Sequence, residues 1–208
     1  MIRAVLFDFG GVILSSPFDA FAAYERRVGL PVDFVRRVNS NSPDSNAWAR
    51  LERNEISVGE FVEAFESEAL ALGHPVDGLA VLACLQGELR PQMVQAVRRC
   101  HERGLTALLT NNIVSGSPDW SRGGAFADLL DLFDVVVESS VVGVRKPEPR
   151  FYEMALELLG VNATEAVFLD DLGINLKPAR DMGMATIKVQ DPDAAIAELE
   201  RLLGGSLS

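Results

Sequence analysis

Apolar positions along the chain fall into two periods. Short runs of strand length recur at Arg3–Asp8, Leu105–Thr110, Asp134–Glu138, Ala166–Asp171 and Ala185–Val189. Between the later runs lie amphipathic stretches of helix length, Gln92–Arg103, Gly124–Leu132, Arg150–Leu159 and Asn175–Met182, and Asp193–Leu203 closes the chain. Continuously apolar strands that alternate with helices predict a parallel, doubly wound α/β sheet covered on both faces. The first and second strands are separated by a long stretch, Pro17 to Leu89, with no convincing strand and with breakers at Pro31, Pro43, Gly73 and Pro75. It reads as a set of helices, and Ser57 with Glu60 three residues on has the spacing of a capping box. This predicts a core of residues 1–16 and 89–208, with residues 17–88 inserted after the first strand. Such an insertion would lie over the carboxyl ends of the strands, where open α/β sheets bind ligands. The Ser/Gly-rich run Ser115–Gly124 reads as a surface loop.

Composition narrows the partners. With 19 basic and 30 acidic residues the chain carries a formal charge of −11, and the insertion alone holds six of the basic and twelve of the acidic residues. Nucleic acid and anionic membrane surfaces are repelled at long range. No window approaches the roughly 20 apolar residues of a membrane span, and the N-terminus has no signal-peptide pattern. Cys84 and Cys100 can form neither a disulfide framework nor a four-ligand zinc site, which predicts a cytoplasmic protein. No membrane insertion is expected, and monomer and homodimer both remain open.

Three strands end in residues with chemistry. The first runs through Asp8 into Gly10 and Gly11, a tight turn whose amides can approach an anion; alternatively Asp8 only caps that turn. The second ends in Thr110, Asn111 and Asn112, which could equally cap a following helix. The fourth ends in Asp170 and Asp171, whose carboxylates repel each other unless a cation lies between them. Between the third and fourth strands, Lys146 precedes Pro147 and Pro149. Pro147 bars helix at Lys146 and Pro149 suits a first helical turn, so the ammonium lies beside a helix N-terminus, a place for an anion. The other reading is a surface lysine paired with Glu148. Even at an anion site Lys146→Ala is expected to leave the fold intact, since loop lysines seldom carry stability. His74 and His101 read as structural or solvated. Trp48 and Trp120 are apolar candidates for either core or pocket.

A nucleophilic carboxylate, a hydroxyl–amide pair, a lysine and a carboxylate pair, in that order on successive strands, resemble the haloacid dehalogenase superfamily along the whole chain. The stretches Leu109–Asn112, Val137–Ser140, Val144–Pro149, Phe168–Lys177 and Lys188–Asp191 are similar to the phosphatase-like N-terminal domain of soluble epoxide hydrolases and to the corresponding domain of acyl-CoA dehydrogenase fusion proteins. Arg53–Phe61 resembles the helical cap of that group. The resemblance implies that Asp8 is the nucleophile forming an aspartyl-phosphate and that Gly11, Thr110 and Asn111 bind the phosphoryl group. It implies that Lys146 neutralises nucleophile and phosphate together. Asp8, the carbonyl of Gly10, Asp170 and Asp171 would ligate magnesium, with Asn175 in support. Mg²⁺ and Lys146 would then balance the three carboxylates. The substrate implied is a small or lipid-type phosphate monoester.

One position departs from the pattern. Two residues after the nucleophile the superfamily's phosphatases carry an aspartate that protonates the leaving oxygen and activates water, and here that residue is Gly10. Three readings follow: a phosphatase slowed by Gly10, a phosphate-binding or regulatory domain without turnover, or a carbon–halogen hydrolase, which needs neither metal nor acid at position 10 but usually lacks the acidic pair.

Overall fold

A computed structural model describes residues 1–113 and 125–207. Five strands, β1 (Ala4–Phe7), β2 (Leu105–Thr110), β3 (Val135–Glu138), β4 (Ala166–Asp170) and β5 (Ala185–Lys188), form one sheet in the order β3-β2-β1-β4-β5. Every pairing is parallel, and β1 at the centre aligns Phe7 with Leu108 on one side and Leu169 on the other. The two-residue period of β1 divides the core. Val5 and Phe7 join Leu108, Val167 and Leu169 on one face, while Ala4 and Leu6 join Ala107, Leu109 and Phe168 on the other. Both faces are covered, which explains why these strands read as continuous apolar runs rather than alternating ones.

The stretch between β1 and β2 is helical: α1 (Pro17–Val28), α2 (Phe34–Ser40), α3 (Ala47–Glu52), α4 (Val58–Ala71) and α5 (Gly78–Ala83) precede α6 (Pro91–His101). The later helices are α7 (Ala125–Leu130), α8 (Ser139–Val142), α9 (Pro149–Leu159), α10 (Gly173–Asp181) and α11 (Pro192–Leu203). Helices α6 and α11 contribute Met93, Val97 and Leu199 to the first face, and α9 and α10 contribute Phe151, Tyr152 and Leu176 to the second. Helices α1 to α5 build a third cluster of their own, in which Phe21, Phe34, Phe61, Phe65 and Val81 are fully or almost fully buried.

Local chemistry fixes the helix starts. The Ser57 hydroxyl accepts from Glu60 N–H at 3.3 Å while the Glu60 carboxylate accepts from Ser57 N–H at 2.8 Å, a complete capping box. Pro17 follows the N-cap Ser16 and fills the first position of α1, where its missing N–H costs nothing. The two chain segments that lead into and out of these helices lie side by side: Ser15 N–H donates to Glu88 O at 2.8 Å and Arg90 N–H to Ile13 O at 2.9 Å, flanking the Leu14–Leu89 bridge. The run 115–124, with Trp120, lies outside the described residues.

Candidate active site

The carboxyl ends of β1, β2 and β4 meet at one point. Asp8 directly follows β1, its N–H donating to Leu169 O at 2.9 Å, and its Oδ1 accepts from Phe9 N–H at 2.6 Å. The chain then turns tightly. Gly11 has φ +77, and a Cβ there would collide with the Asp171 carboxylate, so only glycine fits. Gly10 is different: at φ −70, ψ 130 its backbone suits any residue, and nothing lies within 4 Å of where a Cβ would project. Sterics therefore do not require glycine at position 10.

Lys146 is 1% exposed, and its Nζ lies 2.6 Å from Asp8 Oδ1 and 3.0 Å from Asp170 Oδ2. The surface reading of this lysine is therefore wrong, because Glu148 pairs instead with Arg53 at 3.5 Å. Its dispensability for stability falls with it. Removing one partner from a buried cluster leaves uncompensated charge, so Lys146→Ala should cost about 3–5 kcal/mol in urea unfolding without metal. A variant as stable as wild type would contradict the placement. Burial works against the Lys146 ammonium, but Asp170 and Asp8 outweigh it and hold its pKa above the usual lysine value.

Asp170 is fully buried with both oxygens engaged: Oδ1 accepts from Leu172 N–H at 2.8 Å, and Asn175 Nδ2 donates to both oxygens at 3.1 and 3.0 Å. Asn175 is in turn fixed by Tyr152, whose hydroxyl donates to its carbonyl at 2.7 Å. Asp171 instead lines a cavity. Burial, then the Asp170 charge, pushes its carboxyl up to about 6. Burial also raises Asp8 well above the carboxylate range, with Lys146 pulling back and Asp170 and Asp171 pushing further up. One ligand oxygen from each of Asp8, Asp170 and Asp171 lies within 4.8 Å of the others. Three carboxylates around a single ammonium leave a deficit of positive charge, and an all-oxygen set of this kind suits a hard divalent cation.

Thr110 ends β2, buried, and Asn111 follows it. The Asn111 side chain grips the Lys146 main chain from both sides, accepting from its N–H at 2.9 Å and donating to its carbonyl at 3.1 Å. The neighbouring Asn112 accepts from the Ser140 hydroxyl at 2.6 Å and donates to Glu138 Oε1 at 2.5 Å, so the Leu109–Asn112 and Val137–Ser140 stretches interlock. Asn112 Oδ1 also accepts from Ser140 N–H at 3.2 Å, in the first turn of α8.

A cavity of about 480 Å³ opens above these groups. It is lined by Asp8, Gly10, Thr110, Asn111, Lys146, Asp171 and Asn175, and Pro17, Phe18, Phe21, Trp48, Leu85 and Ile113 supply apolar wall. Trp48 serves both roles weighed for it, packing into the third cluster and lining the cavity. His74 packs edge-on against Phe34 and His101 lies exposed at the end of α6, away from the cavity. The sequence missed Glu52 and Arg145, which also line it: Arg145 Nε donates to Glu52 Oε2 at 2.5 Å and Trp48 Nε1 to Glu52 Oε1 at 3.1 Å. The only local signal was the i,i+4 spacing of Trp48 and Glu52 on α3.

Comparisons with known proteins fit this geometry. The model of the haloacid dehalogenase-like hydrolases matches residues 2–183. The chain is 39% identical over 97% of its length to mouse acyl-CoA dehydrogenase family member 10 (Mus musculus) and 33% identical over 99% to pig bifunctional epoxide hydrolase 2 (Sus scrofa). It spans only 19% and 40% of those two proteins. A phosphatase of Mycobacterium tuberculosis is 33% identical over 97% of this chain and 95% of its own. Among solved structures, a family enzyme from Bacteroides thetaiotaomicron in complex with magnesium and inorganic phosphate has the same fold, with a TM-score of 0.62 at 21% identity over 90% of this chain and 94% of that one.

Proposed function

The chain belongs to the haloacid dehalogenase-like hydrolase family, and on that footing we propose that it is a magnesium-dependent phosphatase acting through an aspartyl-phosphate on a small or lipid-type phosphate monoester. The observation that carries this reading is the placement of Lys146 Nζ between Asp8 and Asp170 in the lining of an apolar-walled cavity. A buried ammonium there attracts a phosphate dianion to the nucleophile, and the apolar wall suits an organic ester group of low polarity. The full-length phosphatase relative supports the same class. Residues 17–88 act in this reading as a cap over a core of residues 1–16 and 89–208.

Asp8 Oδ1 is held by Phe9 N–H and Lys146, so we assign the attack on phosphorus to Oδ2. The P–O bond to the organic group breaks, its electron pair leaves on the departing oxygen, and a phosphoryl group remains on Asp8; water then displaces it as phosphate. Thr110 through its hydroxyl, Asn111 through its main chain, and the Gly11 turn bind the phosphoryl oxygens, the Asn111 side-chain amide being committed to Lys146 and Glu52. Lys146→Ala should lose affinity for vanadate as well as stability; an unchanged affinity would remove the lysine from the phosphate site.

Asp8, the Gly10 carbonyl and Asp171 would hold magnesium, with Asp170 turned to Lys146 and Asn175 as its support. When bound, the ion supplies positive charge to the phosphoryl oxygens. Asp171→Asn gives the sharpest test of this assignment, since its two effects have opposite signs. Its carboxyl is raised in the fold, so ionised Asp171 destabilises the metal-free protein above pH 6, and the variant should be more stable there by on the order of 1 kcal/mol. The same substitution should abolish most of the rise in Tm produced by magnesium. Equal magnesium responses in both proteins would refute the site.

Gly10 favours a second reading, a domain that binds phosphate without turnover. A screen of phosphate esters with and without magnesium, beside Asp8→Asn, separates the two. Magnesium-dependent release of phosphate by wild type alone supports the phosphatase, whereas vanadate binding without release from any ester supports the second reading. A dehalogenase would be indifferent to magnesium, and the three-carboxylate cluster argues against it.

A further inference from the structure

Glu52 and Arg145 line the cavity from parts of the chain 93 residues apart. Glu52 is the last residue of α3, and Arg145 stands in the loop before α9, next to Lys146. Their side chains are 10% and 14% exposed and meet at 2.5 Å. Arg145 also donates from NH1 to Pro43 O at 3.1 Å, so its guanidinium bridges two points of the 41–52 segment. Asn111 Nδ2 donates to the same Glu52 Oε2 at 3.2 Å and to Lys146 O at 3.1 Å. A second ion pair of reversed sense, Arg53 with Glu148 at 3.5 Å, lies one residue beyond on one side and three on the other. The contacts form one unbroken path, from α3 through Asn111 and Arg145 to the Lys146 main chain and on to Asp8.

We propose that Glu52 and Arg145 are positioning residues that tie the seating of α3 to the placement of Lys146 Nζ between Asp8 and Asp170. The proposal rests on the phosphatase reading for its kinetic consequence but not for its structural one. Stability alone does not account for the pair, because a buried ion pair is commonly no better than well-packed apolar residues of the same volume. Nor is Glu52 the missing proton donor of position 10. Burial raises its pKa, but all three of its partners (the Trp48 indole, the Arg145 guanidinium and the Asn111 amide) are donors, the set that favours the ionised carboxylate. What remains is geometry: the side-chain amide that holds the Lys146 peptide unit is itself held by Glu52. Small misplacements of a reacting or charge-neutralising group cost rate steeply, about 100-fold for 1 Å.

The test uses the full chain with Glu52→Gln, Arg145→Gln and the double variant. Each single substitution should lower kcat for an aryl phosphate at saturating magnesium by roughly 10–100-fold with little change in KM. The double variant should be no worse than the poorer single one, since the two residues act as a unit. Multiplied losses, or a lowered Tm with kcat unchanged, would overturn the proposal. Hydrogen exchange gives a readout independent of turnover: the Lys146 amide, bonded to Asn111 Oδ1, should lose protection in both single variants while β4 keeps its own. Unchanged protection at Lys146 would also overturn it. If wild type hydrolyses no ester, the phosphatase reading fails, and the exchange experiment still decides the positioning role.

Discussion

Asp8→Asn should abolish hydrolysis of phosphate esters, lowering kcat by about 10⁴–10⁶-fold, as loss of a nucleophile does elsewhere. The asparagine retains an oxygen that can accept from Phe9 N–H but cannot form the covalent intermediate. The fold should survive. Asp8 is one of three carboxylates that compete for one ammonium, and neutralising it relieves repulsion from Asp170 and Asp171 while leaving Lys146 its contact with Asp170. Steady-state rates with an aryl phosphate, measured beside thermal melting, check both halves. A variant that folds and keeps a tenth of the wild-type rate would show that Asp8 does not attack phosphorus.

The second large effect is a gain. A positioned general acid–base contributes about 10²–10⁴-fold, and Gly10 has no side chain that could supply it in the proposed phosphatase. The backbone there suits an aspartate, and the space beside it is open. Gly10→Asp should therefore fold normally and accelerate alkyl phosphates within that range. Aryl esters should gain less in their first step, because a phenolate with an electron-withdrawing group leaves unaided. In the wild type the same lack should slow the breakdown of the aspartyl-phosphate, so that stopped-flow mixing with an aryl ester shows a burst approaching one alcohol per site. Gly10→Asp should remove that burst. Gly11→Asp is the matched control and should misfold, since a side chain there meets Asp171 and the backbone is left-handed. If wild type hydrolyses alkyl and aryl esters at similar high rates without a burst, another group supplies the proton.

The parts of the molecule with local signatures were legible before any coordinates. β1 is apolar over its whole length and β4 up to its last residue, Asp170, because both faces are buried, and the Ser57–Glu60 spacing marked the start of α4 to the residue. Strand ends were legible to within a residue or two: β1 stops at Phe7 and β4 at Asp170, which leaves Asp8 and Asp171 as the first residues beyond the sheet. The burial of Lys146 was not legible. A loop ahead of two prolines carries no periodicity, and the residues that enclose its ammonium, Asp8 and Asp170, stand at the ends of β1 and β4, elsewhere in the chain. The Glu52–Arg145 pair was hidden for the same reason, its members being 93 residues apart. The distinction between Gly10 and Gly11 also needed coordinates, since a pair of glycines reads alike whether one or both are required. Sequence alone treated Asp170 and Asp171 as equivalent; hydrogen bonding separates them, because Asn175, Leu172 and Lys146 occupy the first and none of them the second.

The central claim is that phosphorus is transferred to Asp8. The most direct measurement mixes the wild-type protein with magnesium and an aryl phosphate, quenches in acid on the burst timescale and maps the digested peptides by mass. A phosphoryl group should appear on the peptide containing Asp8, in an amount matching the burst, and be absent from Asp8→Asn. Phosphate release without a phosphorylated peptide, or a phosphoryl group on any other residue, would contradict it.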